Sequence, residues 1–209
     1  MAKLRFFYGV MGSSKTLNLL ATAYNFEEKG IPFMVLKPSI DTRDGKNMIK
    51  SRAGLKRACV SVNSNVDIYE AIHQYNNVLM AQQAKPLMWV LVDECQFLTE
   101  EQVDQLSDVV DLMGVNVLCY GLRTDFRSKL FPASKRLFEI ADEFQELKSS
   151  CKCNKKASIN ARFDKDENII TEGEQVLVGG DDIYQPMCRK CWKQKIREKQ
   201  RVKKYETSN

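Results

Sequence analysis

The sequence predicts an α/β fold, a parallel sheet flanked by helices with a small C-terminal domain attached, and three features carry that expectation. An apolar stretch, Leu4 to Tyr8, runs into a turn of small residues, Gly9-Val10-Met11-Gly12-Ser13-Ser14-Lys15-Thr16, and the turn opens a helical pattern. A second apolar run, Leu87 to Val92, is unbroken and ends in the acid pair Asp93-Glu94. Continuous apolar character fits a strand covered by helices on both faces. Two close cysteine pairs, Cys151-x-Cys153 and Cys188-x-x-Cys191, bracket 34 residues near the C-terminus.

The first feature has the layout of a phosphate-binding loop. Backbone N–H groups from Gly9 to Ser14 wrap phosphate oxygens, Lys15 reaches their charge, and Thr16 offers a hydroxyl to magnesium. The usual pattern has Gly directly before the Lys, and this chain has Ser14 there. If that position needs a conformation disfavoured for residues with a Cβ, Ser costs on the order of 1–3 kcal/mol. The second feature complements the first. A carboxylate at the end of a buried strand holds magnesium near such a loop, which is the role expected of Asp93. Glu94, one residue on, is placed to accept a proton from an attacking hydroxyl. Together they predict the P-loop (RecA-like) form of parallel sheet.

The other elements follow in order. Thr16 to Glu28 reads as a helix closed by Lys29-Gly30, and Phe33 to Leu36 as a buried strand. Asp41 to Arg57 is polar and glycine-containing and reads as a mobile loop, with Asp41 and Arg43 at its base beside the phosphates. A helix is expected over Asn65 to Ala84; it contains His73, the only histidine, which receives no chemical role. Thr99-x-x-Gln102 is a capping box for a helix with Val103, Leu106, Val110 and Met113 inward. A strand, Asn116 to Tyr120, leads into a basic loop flanked by Phe126 and Phe131, which can serve as core or stack on a ligand ring. A helix over Ala133 to Ala141 and a strand over Phe144 to Leu147 complete the layer.

Composition narrows the function classes. At 44% hydrophobic and 28% charged residues the chain is an ordinary globular one. No apolar run approaches the roughly 18 residues of a membrane span. The opening Met-Ala-Lys-Leu-Arg lacks the apolar region of a secretory signal, so a cytoplasmic location is expected. Charge is uneven: Arg189 to Lys204 holds nine Lys or Arg against one acid, a local +8, which leaves −3 for the rest of a chain whose total is +5. The basic character belongs to the tail, and such runs are more often solvated helix faces than contacts to nucleic acid.

Seven cysteines without a secretory signal argue against a disulfide scaffold. Cys59, Cys95 and Cys119 stand alone. The two pairs supply four thiolates, enough for tetrahedral zinc at the base of a ribbon. The insert, from Asn160 to Tyr184, is then tied at both ends and expected to form a long loop. The resulting division is a nucleotide-binding α/β domain over 1–148, a zinc-binding domain over 149–192 and a basic tail over 193–209.

Taken together, the loop containing Met11, the segment Asp93-Glu94-Cys95-Gln96-Phe97, the run Tyr120-Gly121-Leu122-Arg123-Thr124-Asp125-Phe126, the paired cysteines, and Gly179-Gly180 with Tyr184 before Cys188 resemble type II thymidine kinase of the bacterial or phage type. The resemblance runs in register from about Lys3 to Trp192. It implies transfer of the γ-phosphoryl of ATP to the 5′-hydroxyl of thymidine, with deoxyuridine as a second substrate. In that family's terms Glu94 is the general base and Asp93 organises Mg2+ with Thr16. Lys15 and Thr16 hold the phosphates, with Asp41, Arg43 and Gln96 on the same side. The insert becomes a lasso over thymine, reading the base through backbone groups of Gln175, Val176, Leu177, Val178 and Gly179 with support from Tyr184. Met11, Leu122, Phe126 and Phe131 line the pocket, and Cys151, Cys153, Cys188 and Cys191 hold structural zinc. A homotetramer inhibited by dTTP is implied as well. The chain departs from the family pattern at Ser14, and at Cys191, which is His in some relatives.

Two other classes use part of these features. A zinc-ribbon nucleic-acid-binding protein would leave the phosphate loop and Glu94 idle. A P-loop ATPase switch would give the cysteine-stapled insert and the aromatic pair no role.

Overall fold

The computed structural model describes residues 1–175 and 184–206. Six strands form one parallel sheet: β1 (Leu4–Gly9), β2 (Phe33–Pro38), β5 (Val60–Val62), β6 (Trp89–Val92), β7 (Asn116–Leu122) and β8 (Glu143–Glu146), in the order β5-β2-β6-β7-β1-β8. Helix α1 (Lys15–Glu28) covers one face, and α2 (Ile68–Ala81), α3 (Glu100–Met113) and α4 (Pro132–Ile140) cover the other.

The unbroken apolar runs are explained by this sandwiching. Along β6, Val90 and Val92 enter the core beneath α2 and α3, while Leu91 enters the core beneath α1. Along β7, Val117 and Cys119 point to the first core, and Leu118 and Tyr120 to the second. Alternate residues face opposite sides, so a strand packed on both must be apolar throughout. The capping box forms as expected: Thr99 Oγ1 accepts the Gln102 N–H (3.0 Å), and Gln102 Oε1 accepts the Thr99 N–H (3.2 Å).

Because β7 lies between β1 and β6, the turn after β1 and the acids after β6 face each other across the C-terminal end of β7. Such edges are where open α/β sheets collect ligands.

Two expectations are corrected. The segment from Asp41 to Arg57 is not simply a loop: it contains the antiparallel hairpin β3 (Met48–Lys50) and β4 (Lys56–Ala58). Two anchors hold it: Ile49 is buried in the α1-side core, and the buried Lys37 Nζ donates to Gly45 O (2.7 Å) and Met48 O (2.8 Å). Strands of three residues are too short to show alternation. Nor is the insert between the cysteine pairs all loop. β9 (Ile159–Phe163) pairs antiparallel with both β10 (Ile169–Ile170) and β11 (Tyr184–Met187). The basic tail is helical: α5 (Arg189–Glu206) begins within the second cysteine pair and packs Trp192 and Ile196 against Ala161, Phe163 and Ile169.

Candidate functional site

A cleft of about 750 Å³ opens at the C-terminal edge of the sheet, within the range of small-molecule sites. It is lined from the β1–α1 turn by Met11, Gly12, Ser14, Lys15 and Thr16, from the edge of β2 by Asp41 and Arg43, and from the end of β6 by Asp93, Glu94 and Gln96. The far wall is Leu122, Phe126, Phe131, Gln175 and Tyr184. Residues predicted separately as a phosphate side and an acceptor side therefore share one cavity.

The β1–α1 turn is shaped by its backbone. Gly12 has φ 73°, and Ser14, the residue before the helix, is left-handed with φ 59° and ψ 27°. The Ser13 N–H donates to Val10 O (3.2 Å), closing the turn. Lys15 Nζ donates to Val10 O (2.8 Å); burial lowers its pKa, against the opposing pull of Glu94 and Asp93. Thr16 Oγ1 donates to Asp93 Oδ2 (3.0 Å), so the hydroxyl and carboxylate predicted to share a magnesium ion are in contact. Burial first, then the charge of Glu94, push the Asp93 carboxyl up to about 7. Gly9 and Val10 stand back from the cleft: Gly9 ends β1 opposite Leu122, and Val10 packs with Cys151, Ala157 and Cys188.

Glu94 is held from two sides. Its Oε1 accepts from Arg43 Nη2 (2.6 Å) and its Oε2 from Gln96 Nε2 (2.5 Å). Arg43 Nε also donates to Asp41 Oδ1 (2.8 Å). The guanidinium is thereby stabilised in its charged form, by Glu94 above all. Burial raises the Asp41 pKa, but the hydrogen bond and charge of Arg43 outweigh it and leave the carboxyl below its usual value. Gln96 Oε1 accepts the Leu122 N–H (2.8 Å), fixing its amide between β6 and β7. That approach requires Gly121, where a Cβ would stand 2.5 Å from Cys95 Sγ and 2.7 Å from Gln96 Oε1.

Sequence reasoning gave no role to several residues that organise the far wall. Asn160, buried on β9, accepts the Met11 N–H (2.7 Å) and donates to Thr124 O (3.0 Å), joining the β1–α1 turn, the β7 loop and the small sheet. Its signal was a polar residue among Ile159, Ala161 and Phe163. Asp125 accepts from the N–H groups of Arg127 and Lys129 (both 2.9 Å) and from Gln175 Nε2 (3.2 Å). Phe126 and Phe131 are buried yet line the cleft, and the Arg162 guanidinium lies 5.1 Å from the Phe126 ring centre. Val176, Leu177, Val178 and Gly179 lie outside the described residues.

Beside the cleft, the Sγ atoms of Cys151, Cys153, Cys188 and Cys191 all fall within 4.8 Å of one another, with Cys153 and Cys188 at 3.6 Å. Tetrahedral zinc with Zn–S bonds of about 2.3 Å sets sulfur atoms about 3.8 Å apart, so the four thiols could hold that ion. The Cys191 N–H donates to Cys188 Sγ (3.5 Å) and is the main reason the Cys188 thiol is drawn down to about 6.

Fold and cleft define a class: an α/β protein whose ligand site lies at the C-terminal edge of a parallel sheet, backed by a cysteine cluster. The chain belongs to the thymidine kinase family, whose model, described as "Thymidine kinase", matches residues 2–192. A thymidine kinase of Enterobacteria phage T4 is 45% identical over 192 residues, covering 92% of this chain and 96% of the phage chain. Thymidine kinases of Legionella pneumophila (strain Lens) and Salmonella typhimurium are each 43% identical, covering 90% and 95% of this chain and 88% and 94% of theirs.

Proposed function

We propose that this protein is an ATP:thymidine 5′-phosphotransferase that also accepts deoxyuridine. The observation that carries the reading is the shared cleft: Lys15, Thr16 and Arg43 stand on one side, Phe126, Gln175 and Tyr184 on the other, and Glu94 belongs to the same cavity. The phage and bacterial relatives named thymidine kinase support the substrate.

In this reading the turn from Gly9 to Thr16 is the phosphate loop. The thymidine 5′-oxygen attacks the γ-phosphorus, the bond from that phosphorus to the β,γ-bridging oxygen breaks, ADP leaves, and the hydroxyl proton passes to Glu94. Arg43 bonds Asp41 and Glu94 together, and a γ-phosphate competes for the same guanidinium. Its capture of Arg43 frees Glu94 Oε1 for the hydroxyl while Gln96 keeps the carboxylate aimed. Thr16 and Asp93, already in contact, would hold magnesium, which would neutralise phosphate charge. The four thiolates would hold structural zinc at the base of the insert, and Gln175 and Tyr184, which line the cleft, would face thymine. Closure of the insert excludes water as a competing nucleophile, and a mismatched base edge leaves buried polar groups unpaired.

A homotetramer, inhibition by dTTP and action in the cytoplasm belong to the same proposal. Among the described residues no helix is long and apolar enough to cross a membrane. The test is ADP formation from ATP with and without thymidine, across a nucleoside panel. Strong dependence on thymidine and deoxyuridine is expected; turnover without any acceptor would favour an ATPase switch instead.

A further inference from the structure

Helix α5 outlasts the family match, which ends at Trp192, by more than three turns. None of the cleft-lining residues lies in that extension. Its cations are sorted by angle. At about 100° per residue, Arg189, Lys193, Arg197 and Arg201 advance in steps of four and stay, with Lys190, inside an arc of about 120°. All five are exposed, and none has an ion-pair partner among the described residues. Between Arg189 and Arg201 the other charges lie off this arc: Lys195 pairs with Glu198 (3.1 Å), and Lys199 Nζ donates to Ile169 O (2.7 Å).

Like charges four apart on a helix repel and destabilise it. The ridge contains three such pairs in succession, over a rise of about 18 Å, and no ion pair among the described residues compensates them. The cost is recovered when a row of anions lies along the helix.

We propose that this ridge binds the phosphate backbone of duplex DNA without regard to sequence. Duplex carries one charge per about 3.4 Å of each strand, a density that serves several ridge cations at once. The ridge holds no aromatic side chain to stack on unpaired bases, which favours duplex over single strand. Insertion of an amphipathic helix into a membrane needs a free apolar face, and Trp192 and Ile196 of α5 are packed against the small sheet. This inference does not rest on the kinase reading, since its residues stand outside the cleft.

The experiment is fluorescence anisotropy of the full chain with a labelled DNA duplex of mixed sequence, titrated over salt. With four phosphates neutralised, affinity should fall about 100-fold between about 50 and about 200 mM salt. Arg197→Gln should weaken binding and reduce the log–log salt slope by about one. Lys195→Gln, the same charge change off the ridge, should leave the slope unchanged, and both variants should keep wild-type kinase turnover. Three outcomes overturn the proposal: no retention of duplex at low salt, equal effects of the two substitutions, or ridge-dependent binding only to phosphatidylserine-containing vesicles.

Discussion

The two sides of the cleft are built by different means. The phosphate side rests on the six-stranded sheet: the turn after β1, the base of β2 and the end of β6 are all extensions of strands buried between two large cores. The acceptor side takes Leu122, Phe126 and Phe131 from the end of β7 and the loop after it, but Gln175 and Tyr184 from the segment between the cysteine pairs, whose three-stranded sheet has buried clusters of only a few residues each. Segments of this size bury too little apolar surface to fold alone and rely on metal or docking. Here the cysteine cluster packs on Val10, and Asn160 ties β9 to Met11 and Thr124. Stability is inherited by one side from the core and by the other from four thiols and a few hydrogen bonds. Damage to the second side should therefore leave the first standing.

The largest effect is expected where the two sides meet. Glu94→Gln keeps the shape and the contact to Gln96 but removes the proton acceptor, so turnover with ATP and thymidine should fall by about 10²–10⁴-fold. ATP binding, measured by calorimetry, should change little. A variant with near-normal turnover would strip Glu94 of its role as base.

How much of this was legible in the sequence follows the same division. The sandwiched strands announced themselves, since burial on both faces forces an uninterrupted apolar run such as Leu87 to Val92. Thr99 and Gln102 are local signals that need no tertiary information, and the family resemblance read from the motifs is borne out by the match over residues 2–192. The β3–β4 hairpin and the small sheet were not legible. Their strands are short, and what stabilises them, the amine of Lys37 beneath Gly45 and Met48 and the pairing of β9 with β11 across the insert, is contact between residues distant in sequence. Asn160 was missed for the same reason: its two partners lie 149 and 36 positions away.

Next in size is a change confined to the phosphate side. Lys15→Ala removes the ammonium from the turn and should lower turnover by about 10²–10³-fold, the scale of losing one preorganised charge donor. The KM for thymidine should hold within a few-fold. An unchanged rate would show that Lys15 does not reach the transferred phosphate.

The reciprocal change targets the acceptor side. The protein should carry about one zinc per chain. Cys151→Ser, or chelation of the metal, should raise the KM for thymidine by about 10–100-fold, while the main thermal transition of the α/β core shifts little. Metal analysis, a melting curve and acceptor kinetics on the same sample test all three. If the core melts with the cluster, the two sides are one cooperative unit and the contrast between them fails.

The smallest effect, and the finest probe of the phosphate side, is at Ser14. Its φ of 59° is the left-handed conformation anticipated for this position, and its side chain makes no capping hydrogen bond to α1. A residue with a Cβ carries about 1–2 kcal/mol of strain there, whereas Gly adds about 0.5–1 kcal/mol of freedom to the unfolded chain. Ser14→Gly should therefore stabilise the protein by up to about 1 kcal/mol, or about 2–4 °C in Tm for a chain of this size. Strain shared by free and ATP-bound forms cancels from the binding equilibrium, so the KM for ATP should stay within about twofold if the turn is already in its binding geometry. A marked fall in that KM together with the rise in Tm would mean that the turn tightens around the phosphates and that Ser14 resists it, making the phosphate side less preformed than its packing suggests.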